Sequence, residues 1–297
     1  MTILTGIIII LLCVASAMLW QHSRYVSIRR DIVDDRQPLF YSAQKFHAVT
    51  YLKVKAGGDA FDGVRAVRDA INSSGGEVVY AGLIGMAIVR SKQIPNDWTA
   101  LVLTQYPSRE TFNKAMENSD YKMVMQGFEN SYTHGAKRPV RRNIVLPLML
   151  LMVRIRNFLK RVPPILPFTP AGDEVSLDLR QTMQEAKFLD YYRGIKSDAV
   201  VVFNLILRGD EAQRSADKGY AQQMMSLMAE GSYGPMHVGE AVTVEGNADF
   251  VAFLAVYYPG IDHIQAMFGS SFFNRISSGK QLGDSLAVAT IPILSKL

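Results

Sequence analysis

Tyrosine and histidine side chains at matching positions of two similar segments are the groups of this chain that could do chemistry. Tyr80 and His237 each stand two residues before a glycine, and Tyr106 and Tyr258 each precede a proline. If these side chains project into one cleft, His237 can act as a general base and the tyrosine hydroxyls can hydrogen-bond an aromatic or carbonyl ligand. We therefore predict His237 and Tyr80 as catalytic residues, and Tyr106, Tyr258 and His47 as ligand-binding residues.

A structural role is the alternative for each of these residues. A buried histidine can serve as a hydrogen-bonded core or rim residue, and a tyrosine can pack by its ring while its hydroxyl reaches solvent. Met224, Met225 and Met228 stand at helical spacing, which indicates a core. The sequence contains no dinucleotide-binding glycine motif, no Walker loop, no His-Glu-x-x-His and no Gly-x-Ser-x-Gly.

The sequence predicts neither a metal site nor a cofactor. Its five histidines are scattered and fall at no metal-ligand spacing. Its one cysteine, Cys13, lies inside an apolar run, which excludes an intramolecular disulfide and a cysteine-based metal site. With 297 residues, 48% of them hydrophobic, the chain can build real cores by packing alone.

Two similar units would position the candidate residues. Residues 101–123 and 253–275 align without a gap, and each contains an apolar strand, a Tyr-Pro turn and an amphipathic helix. Both halves follow the order strand, helix, strand, strand, helix, with room for a last strand. We therefore predict an α+β fold of two tandem ferredoxin-like βαββαβ modules, residues 46–136 and 198–297. The second and third strands are predicted at 78–81 and 86–90 in the first module, and at 236–239 and 241–244 in the second.

The N-terminal segment is predicted to be a transmembrane anchor, residues 1–24, followed by a juxtamembrane linker, residues 25–45. Residues 3–20 carry no charge and end in Trp20, and basic residues follow. A cleaved signal peptide is the alternative, since residues 15–17 resemble a cleavage site. Positive charge on the C-terminal side alone predicts a single-pass protein of the inner membrane with its globular part in the cytoplasm. The alternative is an N-terminal-in orientation, which would put both modules outside.

Residues 137–170 form a basic and apolar segment that ends in a proline-rich spacer, and a linker helix is predicted within residues 171–197. The apolar run 144–153 is too short to span a bilayer and contains Pro147, so it is interfacial, re-entrant or buried. The formal net charge of +5 is concentrated around this run, which favours anionic lipid head groups over nucleic acid. The predicted membrane-surface residues are Arg141, Arg142, Arg154, Arg156, Lys160 and Arg161.

The turn after the next predicted strand of the first module, residues 99–106, resembles a bacterial family known as domain of unknown function 1330. In that family an aromatic-Pro-Ser-Arg-Glu turn precedes a helix and Ser-x-x-Tyr; residues 106–110 and 119–121 match this pattern here. The second half has lost the Ser-Arg-Glu. Helix capping by Ser108 is a sufficient explanation of the turn. The family belongs to the dimeric α/β-barrel superfamily, so the resemblance implies that the two modules pack sheet to sheet as an intramolecular pseudo-dimeric barrel.

Three functions fit these features. The first is a binding or scaffold subunit at the membrane surface, whose partners are the bilayer, a small apolar ligand and a membrane protein. The second is a cofactor-free monooxygenase or isomerase that acts on a small apolar metabolite of aromatic or quinone-like type. The third, the handling of haem, would depend on His237 alone as axial ligand. A cavity lined by the candidate residues would favour an enzyme, and an interior packed with Val, Leu and Met would favour a scaffold.

Overall fold

The computed structural model describes residues 3–33, 41–172, 199–277 and 285–297. The predicted linker helix falls almost entirely outside these ranges. Eight antiparallel strands form one closed barrel in the order β1-β3-β2-β8-β5-β7-β6-β4. The strands are β1 Phe46–Lys53, β2 Glu77–Val89, β3 Ala100–Tyr106, β4 Asn130–Lys137, β5 Val200–Leu207, β6 Pro235–Thr243, β7 Phe250–Tyr258 and β8 Leu286–Pro292.

Eight α-helices within the described ranges surround or adjoin the barrel. They are α1 Ile3–Val33, α2 Ala60–Ser73, α3 Arg109–Glu117, α4 Ser119–Gln126, α5 Val140–Leu159, α6 Glu211–Gly231, α7 Ile261–Phe268 and α8 Ser271–Ser277. A 3-10 turn, Leu294–Lys296, closes the chain. Strands β1 to β4 and strands β5 to β8 each lie in the same relative order: the fourth strand beside the first, then the third, then the second.

Two seams join the half-sheets edge to edge. Strand β2 pairs with β8 from Gly82↔Pro292 to Val89↔Ala287, and β4 pairs with β6 from His134↔Thr243 to Lys137↔Glu240. Closure of the barrel therefore pairs all four outer strands and leaves no open sheet edge. The prediction of separate strands at 78–81 and 86–90, and at 236–239 and 241–244, was wrong, because β2 and β6 each run as one strand through register shifts.

Alternation along the strands separates two cores. On β1, Phe46, Ala48 and Leu52 pack against helices α2 to α4, whereas Val49 and Tyr51 point into the barrel. Successive side chains of a strand point to opposite faces, so each apolar strand serves both cores at once. In the second half, α6 to α8 cover the outer face in the same way.

Helix α1 is apolar and exposed at its N-terminal end and docked at its C-terminal end. Tyr25, Val26 and Val33 are buried. The Tyr25 hydroxyl donates to the Pro235 carbonyl, and Arg29 Nη1 donates to the Met236 carbonyl at 3.3 Å. The first residues of the predicted juxtamembrane linker thus continue the helix, and they are hydrogen-bonded to the first two residues of β6.

The apolar run 144–153 is part of α5, which packs against α1, α6 and β6. Leu150 is buried, and Leu146 and Val153 are partly buried against the barrel core. The proline-rich stretch that follows is extended. Glu230 at the end of α6 holds it, because its carboxylate accepts hydrogen bonds from the Ile165 and Leu166 amides at 2.8 Å.

Candidate functional site

Two of the predicted site residues are buried near each other at one end of the barrel. His47 and His237 are both fully buried, and they are close enough for the charge on one to lower the pKa of the other. His47 lies opposite Gln105 across β1 and β3, and Gln105 Nε2 donates to Glu77 Oε2 at 3.2 Å. This end of the barrel therefore contains two buried imidazoles and a buried amide, with the exposed Glu77 carboxylate at its rim.

Burial keeps the His47 imidazole neutral. Desolvation lowers its pKa well below the ordinary value of 6.5, and the nearby charges of Arg138, His237 and Lys45 lower it further. The Tyr41 ring packs edge-on against His47 with centroids 5.1 Å apart, and the Arg138 guanidinium lies 5.4 Å from the centre of the Tyr41 ring. A neutral imidazole is the form that a general base needs at pH 7.

Tyr80 points into the barrel, but its hydroxyl is used by the fold. It lies 2.7 Å from Thr290 Oγ1, and Thr290 Oγ1 itself donates to the Val201 carbonyl at 2.8 Å. The tyrosine is therefore the donor in a chain that crosses the β2–β8 seam. Its ring packs 5.0 Å from that of Phe203. The predicted catalytic role of Tyr80 stays a prediction, and the geometry supplies a structural one.

Tyr106 and Tyr258 do not face the interior, so the single cleft expected for all the candidates is wrong. Tyr106 lies in the outer core of the first half, edge-on to Phe112 at 5.2 Å. A Cβ on Gly76 would come within 2.5 Å of its ring, so this core has no room at Tyr106. Tyr258 lies on the outer face of the second half. Both tyrosines stand in phase with the helix-facing residues of their strands.

A cavity of about 510 Å³ lies on the outer face of the second half-sheet, under α6, α7 and α8 and beside α5. This volume is in the range that accommodates a small organic ligand. Its wall is mostly aliphatic and thioether, including the three methionines of α6 predicted as core and two others. The methionines are Met149, Met224, Met225, Met228 and Met267. Thioethers adapt to irregular apolar ligands.

A small cluster of polar side chains adjoins this cavity, and two of its members line the wall. Tyr220 and Tyr258 belong to the wall, and Tyr233 lies 5.4 Å from Tyr258 between ring centroids. His263 Nε2 is 2.9 Å from the Tyr233 hydroxyl. Burial lowers the pKa of His263 and raises that of Tyr220 to about 12. The group is neutral at pH 7 and can pass a proton or orient a hydroxyl or carbonyl.

Sequence reasoning found only Tyr258 of this group. Tyr233 lies in the short connection from α6 to β6, and His263 lies in α7, so no fixed spacing links them. Phe168 of the proline-rich stretch packs edge-on to His263 at 5.2 Å. Tertiary packing brings these side chains together. The sequence could have indicated the cluster only if the strand face covered by the helices were already known.

The predicted membrane-surface residues lie along α5 and just after it. Arg154, Arg156, Lys160 and Arg161 are exposed. Arg141 and Arg142 lie in the first turn of α5, and their side chains fall outside the described atoms. Among the described residues, one helix is long and apolar enough to cross a membrane, Ile3–Ser27, and a signal sequence passes the same test. The described side chains hold no group of three or more His, Cys, Asp or Glu suited to a metal ion.

No protein-family model matches the chain, and no curated protein matches it. Similar solved structures include an anthrone oxidase-like protein, with a TM-score of 0.47 and 7% identity over 85% of this chain and 94% of that chain. A candidate monooxygenase from Lactobacillus acidophilus NCFM has a TM-score of 0.41 and 7% identity over 84% and 94%. A chlorite dismutase variant from Candidatus Nitrospira defluvii has 0.39 and 9% over 87% and 96%.

These likenesses concern the arrangement of strands and helices and nothing finer. The resemblance of the first half to domain of unknown function 1330 stays a prediction.

Proposed function

We propose that this chain is a single-pass protein of the inner membrane whose cytoplasmic barrel, made of two tandem ferredoxin-like modules, binds a small apolar molecule in the cavity of its second half. The cavity is the observation that carries the proposal. Its wall is apolar except for a few side chains, among them Asn204, Asp217 and Tyr258. Removal of apolar ligand surface from water against such a wall favours binding, and the few polar groups can orient the ligand.

The likeness between the halves supports a division of labour. The first half packs its outer core tightly around Phe112 and Tyr106, while the second half, of the same strand order, leaves space between its sheet and helices. The first half then closes and stabilises the barrel, and the second half holds the ligand. A scaffold role for a membrane-protein partner is compatible with this arrangement, because ligand binding in the second half leaves the outer surface of the first half available for contact.

The binding proposal is tested by native mass spectrometry of the full chain purified in mild detergent, followed by solvent extraction of the bound mass. Met224 is buried and lines the cavity, so Met224→Trp fills part of the space. The matched control is Met123→Trp on α4, where the side chain is 69% exposed. The wild type and the control retain a bound small molecule, and Met224→Trp loses it. Equal occupancy in all three proteins, or none in the wild type, overturns the proposal.

A cofactor-free enzyme is the second candidate, favoured by the His263–Tyr233 hydrogen bond next to Tyr258. This relay could accept a proton from an acidic hydroxyl or an activated carbon of a bound aromatic or quinone-like molecule. A proton returned to another position completes an isomerisation, whereas oxygenation requires dioxygen as co-reactant. His263→Gln then retains the extracted ligand and loses its conversion. Conversion that survives in this variant rules out the relay.

A further inference from the structure

Helix α5 keeps a large apolar surface outside the fold. Its inner face packs on α1 and α6, but Met152, Phe158 and Leu159 are exposed, the last two at 83% and 72%. Ile155 and Val162 extend the same surface. Contiguous exposed apolar side chains of this size mark an interaction site.

The charge around this surface specifies its partner. Arg154, Arg156, Lys160 and Arg161 are exposed among the apolar residues, and the sequence contains no Asp or Glu from residue 130 to residue 172. A helix with apolar and cationic side chains and no acidic ones suits the boundary between head groups and acyl chains of an anionic bilayer.

The contact between α5 and α1 puts this surface at the head-group level when α1 is the membrane span of the proposed function. Helix α5 packs against α1, whose exposed apolar N-terminal part ends at Trp20, with the Arg24 guanidinium 5.6 Å from the Trp20 ring centre. Tryptophan and arginine are typical of the head-group level. A barrel docked on residues 25 to 33 of the same helix cannot move far from that level.

The cavity reaches the surface on this side. Leu146 and Met149 of α5 belong to its wall, and Met149 is also 42% exposed. One side chain thus touches both the cavity and the surroundings of α5. We propose that α5 lies in the head-group layer beside the spanning helix, and that the cavity takes its ligand from that leaflet, as a lipid-soluble amphiphile passing Met149. The first part rests on the proposed membrane span, and the second part rests on the proposed binding function.

The first arm of the test measures the depth of α5 in the full chain. Cys13 is the only cysteine, so Cys13→Ser with Phe158→Cys allows one environment-sensitive fluorophore to be attached. In nanodiscs of phosphatidylcholine and phosphatidylglycerol, lipids spin-labelled at acyl carbon 5 quench it. The matched control is Cys13→Ser with Met123→Cys, which is not quenched. If the fluorophore at position 158 is quenched no more than the one at position 123, the proposed membrane contact of α5 is overturned.

Charge is tested in the same nanodiscs. Changing Arg154, Arg156, Lys160 and Arg161 together to Gln lowers the quenching at position 158 at least twofold in anionic lipid. Unchanged quenching contradicts the role of these four cations.

The second arm tests the route of the ligand, with oleic acid added to the nanodisc lipid as the probe. Met149→Arg puts a charge at the point where the cavity meets the lipid, and Met152→Arg puts the same charge on α5 away from the cavity wall. Native mass spectrometry of protein released from the nanodiscs then shows oleate occupancy at least fivefold lower in Met149→Arg than in Met152→Arg. Equal occupancy overturns the route.

The two proposals fail in different ways. If Met224→Trp loses the bound molecule but position 158 is not quenched, the ligand site is supported and the membrane contact of α5 is contradicted. If position 158 is quenched but no bound molecule is lost in Met224→Trp, the membrane contact is supported and both the ligand site and the ligand route are contradicted.

Discussion

Buried histidines are the residues whose ionisation the fold controls most directly. His134 on β4 has its Nδ1 3.0 Å from the Tyr132 hydroxyl, and its ring packs edge-on against Phe250 at 5.6 Å. Burial lowers its pKa to about 4. His47 shares this behaviour for the same first reason, desolvation. Burial thus favours the neutral form of both imidazoles.

Replacing His134 by Gln should reduce the acid sensitivity of the fold. The unfolded imidazole takes up a proton near pH 6.5, while the folded one resists until about pH 4, so stability is complete above 6.5 and falls between these values. The loss from this one residue is at most roughly 3 kcal/mol. Gln keeps a hydrogen-bonding group without a titration, so the Tm difference between pH 7 and pH 4.5 becomes smaller in the variant.

The measurement is thermal unfolding followed by circular dichroism in detergent. Between pH 7.5 and pH 8.5 His134 is almost fully neutral in both the folded and the unfolded state, so the wild type and His134→Gln must change in parallel there. An equal loss of Tm on acidification in both proteins would show that His134 titrates normally in the folded state.

At the scale of the element, two glycines in regular structure have opposite roles. Gly135 lies in β4, where an added Cβ would approach the Phe46 ring to 2.6 Å and the Val242 carbonyl oxygen to 3.0 Å. The second contact is with the backbone of β6 across the seam. That backbone cannot move away without lengthening the hydrogen bonds between β4 and β6. Gly219 lies inside α6 with nothing within 4 Å of an added Cβ.

Gly135→Ala should therefore destabilise the protein, and Gly219→Ala should stabilise it. The first change forces a core ring and a strand apart, which costs about 1 to 3 kcal/mol. The second restores helix propensity and gains up to about 1 kcal/mol. Denaturant unfolding of both variants gives the two signs. A stable Gly135→Ala protein would mean that the β4–β6 seam is looser than its geometry indicates.

The elements also show how far the sequence could be interpreted. The eight-stranded antiparallel barrel and the N-terminal apolar helix are confirmed, because apolar periodicity marks strands and helices locally. Ser108 does cap α3, since its Oγ accepts from the Thr111 amide at 3.1 Å. Gly82 falls between two predicted strands, 78–81 and 86–90, and instead lies inside β2. A Cβ there would come within 2.8 Å of the Tyr80 hydroxyl, so glycine permits the close approach of Tyr80 and Thr290.

The candidate site was harder to predict than the fold. Strand residues alternate between faces, and a shift by one position moves a side chain from the barrel interior to the helix layer. Tyr106 and Tyr258 were assigned to the wrong face for this reason. The cavity joins Met149 of α5 to Tyr258 of β7, and His263 meets Tyr233 from another element. Such contacts follow from the packing of the whole chain and leave no pattern in any one segment.

At the scale of the whole molecule, the barrel has two seams of unequal length. Strands β2 and β8 share six residue pairs, and the Tyr80–Thr290 hydrogen bond reinforces them. Strands β4 and β6 share four pairs. Beyond these pairs, the Glu245 carboxylate accepts from the Thr133 amide at 2.7 Å. Local opening of a fold begins where the fewest interactions must break.

The barrel should therefore open first at the β4–β6 seam. Hydrogen exchange followed by mass spectrometry is expected to show faster exchange of the amides at 240–243 than of those at 287–291. Glu245→Gln replaces a charged acceptor by a weaker neutral one, so it accelerates exchange at 131–136 several-fold. Glu117→Gln, at the exposed end of α3, is the control and leaves both seams unchanged. Slower exchange at β6 than at β8 would mean that the docked end of α1, which contacts Pro235 and Met236, holds this seam more firmly than the strand pairing does.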